Sequence, residues 1–196
     1  QDDLLALFQI EGIEHLREAC AHGKGVFLLT AHLGFWEAGT FLLPALGFPT
    51  DFVVRPMKNP YIDRHLTRLR ESAGGRCINS RQGARKIVRS LTQNRGVGIL
   101  LDQHTSRRQA VEVDFFGQKA HTTPVIAEIA MRYDVPVVPI FSYRLPDNRY
   151  QVIVEPMIFL PPVDGGTANT ALLTACIEKA VRRDIDQWFW LHRRWR

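Results

Sequence analysis

Residues 26–47 read VFLLTAHLGFWEAGTFLLPALG. The first five residues form a short apolar run, the length of a strand rather than of a buried helix. Gly34 permits a tight turn. Residues 35–46 have helical length and run into Gly47, a residue suited to the position after a helix. The stretch therefore predicts a strand, a turn and a helix. Inside it sit His32 and Glu37, two titratable side chains in otherwise apolar surroundings.

The same alternation continues outward in both directions. Residues 8–10 suit a short edge strand. Residues 13–22 have helical spacing and stop at Gly23. Downstream, strands are expected at 52–55, 76–78, 97–101, 137–142 and 150–158. Helices are expected at 59–73, with Pro60 in the first turn, at 83–94, at 123–133 opened by Thr123-Pro124, and at 167–188. Residues 102–122 read as a long polar loop with one strand at 113–116. Strands alternating with helices of about ten residues imply βαβ units. The fold class is α/β, a mainly parallel or mixed sheet with helices on both faces. In such sheets, sites lie beyond the carboxyl ends of the strands. His32 follows the end of the strand at 26–30.

Composition narrows the function classes. The chain has 196 residues, 45% hydrophobic and 23% charged, which suits one domain with a sizeable core. Its net charge of +5 favours an anionic partner: nucleic acid, a phosphorylated lipid, an acidic carrier protein or a membrane surface. Cys20, Cys77 and Cys176 are widely spaced, with neither a disulfide framework nor a zinc pattern. No run of about 18 uncharged apolar residues occurs. There is no Gly-x-Ser-x-Gly elbow, Walker loop or His-Glu-x-x-His pair. No metal or cofactor is expected. The aromatics lie in apolar runs rather than among exposed basic residues, which argues against nucleic acid.

Residues five apart on a helix are about 140° out of phase, so His32 and Glu37 cannot share one helical face. They can meet if His32 lies in the turn and Glu37 in the first helical turn. A carboxylate on one imidazole nitrogen would leave the other free to take a proton. The opposing reading is a satisfied core histidine and a capping glutamate. Spacing alone leaves both open.

The order of further blocks adds weight. His32-Leu-Gly-Phe-Trp-Glu37 resembles the signature of the bacterial lipid A late acyltransferases, the lauroyl and myristoyl transferases. These lie within the glycerolipid acyltransferase superfamily and its His-x4-Asp/Glu motif. Val54-Arg55-Pro56, Asn59-Pro60 and Asp63 resemble the second block of that family. Gly98-Ile-Leu-Leu-Asp102-Gln103 resembles its strand-and-loop block. Phe115-Phe-Gly117, Ala120 and Thr123-Pro124 resemble the next. Val135-Pro-Val-Val-Pro139 and Gln187-Trp-Phe-Trp190-Leu-His-Arg-Arg194 follow in order. The resemblance covers roughly residues 8–196. One letter departs: Phe35 stands where the family usually has Asn. Family members are also longer and carry an N-terminal membrane anchor that is missing here.

The resemblance implies a glycerolipid-acyltransferase-like fold over 1–196, one catalytic domain without its anchor. It implies an acyltransferase moving a fatty acyl chain from an acyl carrier protein thioester to a hydroxyl of a lipid A precursor. His32 would be the general base and Glu37 its orienting partner. Arg55 would be a candidate donor to the oxyanion. Asn59, Asp102 and Gln103 fall in matching blocks as substrate contacts, although Asp102 and Gln103 equally suit a turn that satisfies loop amides. Arg81, Arg85 and Arg89 share one helical face, suited to lipid phosphates or an acidic carrier, or to plain solvation. The cluster Trp188, Phe189, Trp190 and Trp195 suits either a lipid interface or packing against the sheet. The protein is expected at the inner membrane, peripheral on its cytoplasmic face. The alternatives are an acyl-CoA-dependent acyltransferase for another glycolipid, such as a phosphatidylinositol mannoside, or a non-catalytic basic lipid-binding domain.

Overall fold

The computed structural model describes residues 5–80, 83–162 and 166–195. Its centre is a seven-stranded mixed sheet in the order β1-β9-β8-β2-β5-β3-β4. The strands are β1 (Phe8–Glu11), β2 (Val26–Thr30), β3 (Thr50–Val54), β4 (Arg76–Asn79), β5 (Gly96–Leu100), β8 (Val137–Arg144) and β9 (Tyr150–Val154). β6 (Val111–Phe115) and β7 (Gln118–Thr122) form a separate antiparallel hairpin. All neighbours in the large sheet run parallel except β8 and β9. That pair is joined by a turn closed by the Asn148 N–H donating to the Leu145 carbonyl at 3.1 Å.

The central strands are apolar on both sides because both sides are covered. Phe27 and Leu29 of β2 face a core shared with Ile87 and Leu91 of α4 (Gly83–Leu91), Ile126 and Ala130 of α5 (Val125–Tyr133), and Leu173 and Ile177 of α6 (Thr167–Arg183). Val26 and Leu28, the alternate residues, face Leu16 and Ala19 of α1 (Ile13–Ala21) and Leu42 and Leu43 of α2 (Gly39–Ala45). Burying each of these large side chains contributes about 1.5–3 kcal/mol. α3 (Pro60–Glu71) differs, since none of its residues is fully buried. Asn59 caps it, its side-chain oxygen accepting from the Tyr61 N–H at 2.9 Å.

Three expectations are corrected. The helix expected at 35–46 is broken into a 3₁₀ turn (Trp36–Ala38) and α2. Gly34 at φ +54° and Phe35 at φ −101°, ψ 62° keep the chain out of the helix until Trp36. The loop expected at 102–122 contains the β6–β7 hairpin. Its turn is Phe116-Gly117, at φ +55° and +73°, the double left-handed turn that matches strand twist. The helix expected at 167–188 ends at Arg183, where Asp184 swings to φ −150°, ψ 85°. A 3₁₀ turn (Ile185–Gln187) follows, and Trp188 is extended.

That extended segment pairs with the turn after β2. Leu33 and Trp188 form an antiparallel bridge. The Gly34 N–H donates to the Gln187 carbonyl at 3.0 Å, and the Phe189 N–H to the His32 carbonyl at 2.9 Å. Gly34 is required here for a second reason besides its φ: a Cβ would stand 2.1 Å from the Ser142 carbonyl oxygen. Gly34→Ala is expected to destabilise the fold by roughly 2–5 kcal/mol, from left-handed strain plus overpacking. Urea denaturation checks this; an unchanged midpoint would refute the close approach.

Candidate active site

β2 and β5 are parallel neighbours, with Thr30 opposite Leu100 at their carboxyl ends. His32 lies two residues past Thr30, and Asp102 lies two residues past Leu100. Equal overhang from adjacent parallel strands sets the two side chains beside each other. The ring Nδ1 of His32 is 2.9 Å from Asp102 Oδ1. The backbone N–H of His32 donates to Asp102 Oδ2 at 2.8 Å, and the indole N–H of Trp188 donates to the same oxygen at 2.8 Å.

Asp102 is only 3% exposed. Burial alone would push its carboxyl up. The hydrogen bond and charge of His32, its backbone N–H and the Trp188 indole outweigh that, and hold the carboxyl below its ordinary range. An ionised carboxylate only accepts, so His32 Nδ1 carries the hydrogen. In its neutral form the ring presents the Nε2 lone pair to the Gln103 side-chain amide, 3.2 Å away. The imidazole is flanked edge-on by Trp36, with ring centroids 5.2 Å apart, and by Phe189.

Glu37 takes a different partner from the one expected. The expected contact between Glu37 and the His32 ring is replaced by a two-point ion pair with Arg70, at the end of α3. Arg70 Nε donates to one oxygen at 2.9 Å and Nη2 to the other at 2.5 Å. The hydrogen bond that Arg70 donates to Glu37 raises its guanidinium above its ordinary range, against the effect of burial. The physical reason is the broken helix: the 3₁₀ turn aims Glu37 away from the sheet edge and toward α3, while Asp102 already saturates His32 Nδ1.

These groups border a cavity of about 1350 Å³. His32, Trp36, Glu37, Arg55, Arg70 and Gln103 line its polar part, while Leu28, Leu42 and Leu43 line it on one face of the sheet edge and Ile87, Ile99 and Ile126 on the other. The arrangement can abstract a proton with an oriented imidazole, beside two arginines, next to an apolar volume.

The other expected contacts divide. Arg55 lines the cavity and is exposed; Gln103 reaches it. Asn59 caps α3 and does not line the cavity, so its structural role is the helix cap. Arg85 and Arg89 are exposed on α4 and also lie outside the lining. Arg81 lies outside the described residues. Phe35 joins an aromatic cluster with Phe8, Phe41 and Tyr150, its ring centroid 4.9 Å from that of Tyr150. A polar amide there would face apolar rings.

Arg70, Trp188 and Arg194 were missed as site residues. Arg194 is fully buried, donating to the carbonyls of Gln103 at 3.2 Å and His121 at 2.9 Å and to the Thr122 hydroxyl. Burial pushes its guanidinium down to about 10, countered in part by the charge of Asp102. Nothing in the spacing of Glu37 and Arg70 links them. The aromatic run around Trp188 was visible as a block, but its target was not.

Over residues 1–196 the sequence matches the family model described as bacterial lipid A biosynthesis acyltransferase. The chain belongs to this family. Among similar proteins, a lipid A biosynthesis lauroyltransferase of Escherichia coli is 29% identical, over 96% of this chain and 61% of its own length. A lipid A biosynthesis acyltransferase of Haemophilus influenzae is 28% identical, over 92% of this chain and 56% of its own. A phosphatidylinositol mannoside acyltransferase of Mycolicibacterium smegmatis is 28% identical, over 67% of this chain and 44% of its own. The chain thus spans about three-fifths of the length of the lipid A acyltransferases it matches.

The Glu37–Arg70 pair has a measurable signature. Glu37 is 38% exposed in its side chain, so solvent screens the pair; its two-point geometry works in the other direction. A double-mutant cycle with Glu37→Gln and Arg70→Met is expected to give a coupling of about 0.5–1.5 kcal/mol in unfolding free energy. Additive single-mutant effects would show that the pair does not persist in solution.

Proposed function

We propose that this chain, as one catalytic domain, transfers a fatty acyl chain from an acyl carrier protein thioester to a hydroxyl of a lipid A precursor. The observation that carries the reading is the buried Asp102 locking His32 Nδ1 and leaving Nε2 facing the cavity. The acceptor hydroxyl displaces the Gln103 amide and donates to Nε2. His32 takes its proton as the oxygen attacks the thioester carbonyl carbon. The tetrahedral intermediate collapses, the carbon–sulfur bond breaks, and His32 returns the proton to the leaving thiolate. No covalent enzyme intermediate is needed. Asp102 keeps the ring in the productive tautomer and stabilises the imidazolium.

Glu37 takes a supporting part: it anchors Arg70 at the cavity. Arg70 and Arg55 supply positive charge for the developing oxyanion and for the phosphates of the acceptor. The apolar lining takes the acyl chain. Among the described residues no helix is long and apolar enough to cross a membrane. A peripheral position on the cytoplasmic face of the inner membrane fits an acyl carrier donor and a lipid acceptor.

A second reading is acylation of a phosphatidylinositol mannoside from acyl-CoA, its acceptor suggested by the name of the mycobacterial relative. That similarity covers 67% of this chain, against 96% for the lauroyltransferase, so lipid A is preferred. A purely lipid-binding role leaves the oriented imidazole without a purpose.

The test is to incubate the protein with acyl carrier protein thioester and a tetra- or penta-acylated lipid A precursor and follow product mass. A parallel reaction with acyl-CoA and phosphatidylinositol mannoside separates the two acceptors. His32→Ala is expected to lower the rate about 10²–10⁴-fold. Asp102→Asn should approach that loss, and Glu37→Gln should lose less and raise KM. Full activity in His32→Ala would sink the mechanism.

A further inference from the structure

Trp188 is a large indole, 4% exposed, and its N–H is aimed at a carboxylate rather than at solvent or a backbone carbonyl. The other tail indoles do not do this. The Trp190 N–H goes to the Ile185 carbonyl and the Trp195 N–H to the Phe115 carbonyl. Both of these are ordinary backbone satisfactions. Trp188 instead completes the set of three N–H donors on Asp102, the other two being the ring and backbone of His32.

The segment that carries Trp188 is held from three directions. Its backbone pairs with residues 32–34. The Trp188 ring packs on Phe115 and Phe116 of the hairpin, at centroid distances of 5.5 and 6.4 Å. Beyond it, Arg194 fastens to the Gln103 carbonyl and to the hairpin. The same segment therefore contacts both sides of the His32–Asp102 pair.

We propose that Trp188 is a positioning residue for acyl transfer: its indole N–H fixes the Asp102 carboxylate and moderates the negative charge that Asp102 offers to His32. This rests on His32 acting as the base. Among the described residues three donors reach the two oxygens of Asp102. Oδ1 serves the ring alone, whereas Oδ2 is shared by the His32 backbone and the indole. Without the indole, Oδ2 keeps one donor, the carboxylate is freer to rotate, and more of its charge is directed at the imidazolium. A protonated His32 gains, so the base is lost at a higher pH. The direction follows from the sign of the charge: less neutralisation of Asp102 favours the cationic ring. The other charged or titratable groups near this pair are the buried Arg194, the half-buried His192, and His104, Glu37, Arg70 and Arg55, which line the cavity. None of these changes in the substitution.

The experiment is a titration of His32 by NMR on histidine-labelled protein, wild type against Trp188→Phe, together with kcat and KM for transfer. If Trp188→Phe is not folded by circular dichroism, the same position takes the tryptophan isostere with sulfur in place of the indole N–H. That side chain keeps the ring and deletes only the donor. Expected are a His32 midpoint raised by about half a pH unit, an acid limb of kcat moved the same way, and kcat down about tenfold, with both KM values within about twofold. Trp190→Phe, which removes a donor spent on Ile185, should leave the His32 midpoint in place. A folded, donor-free variant with the wild-type midpoint and wild-type kcat overturns the proposal. Loss of kcat with an unmoved midpoint also overturns it, since that is mere loosening. The two readings fail separately. Activity surviving in His32→Ala defeats the general-base reading, whereas an inactive His32→Ala beside a wild-type-like Trp188 variant defeats only the positioning role.

Discussion

The buried carboxylate of Asp102 is the constraint around which the functional end of this protein is arranged. A carboxylate taken out of water is costly unless its oxygens are filled by donors. Here the donors come from two distant parts of the chain: the backbone and ring of His32 after β2, and the indole of Trp188 after α6. Satisfying one charge therefore fixes where the β2 turn lies, which tautomer His32 holds, and why the chain leaves the helix at Arg183 to run back across the sheet edge. The Leu33–Trp188 bridge and the Gly34 approach to Ser142 are the packing counterparts of that demand.

The same constraint explains the division of labour between the two acidic groups. With Asp102 on the imidazole, Glu37 is released to hold Arg70. The imidazole and a nearby guanidinium are then held by separate carboxylates, one buried behind the ring and one lining the cavity. Phe35 fits this arrangement as well. It lies between the turn and the 3₁₀ segment and packs on Phe8, Phe41 and Tyr150, so an aromatic cluster under the turn replaces any polar contact at that position.

Much of this was legible before the fold. The strands at 26–30, 97–101 and 137–142 were readable because β-strands buried on both faces leave continuous apolar runs bounded by Gly and Pro. His32 was placed correctly beyond a strand end, because phase arithmetic kept it off the helix. The β6–β7 hairpin was half hidden. Its second strand, Gln118–Thr122, is polar on its exposed side, and its turn uses Phe116 in a left-handed conformation that gives no composition signal. The end of α6 was hidden for a different reason. The helical pattern of 167–183 continues into Ile185 and Trp188, but in the fold Gln187 bonds the Arg144 backbone while Trp188 bonds Asp102 and bridges to the β2 turn.

By itself, the sequence determined the layered α/β class, most strand and helix positions, the family, and the presence of a histidine at a sheet edge. These follow from local periodicity, turn chemistry and ordered motifs, all of which are readable along one dimension. Tertiary structure decided which acid serves that histidine. Neighbours in a parallel sheet are set by crossovers, so β2 lies against β5 with β3 and β4 intervening in the chain. Asp102 thereby reaches His32 from seventy residues away, while Glu37, only five residues away, turns aside. Proximity along the chain pointed to Glu37. Proximity across the sheet edge, where two parallel strands end in register, selected Asp102.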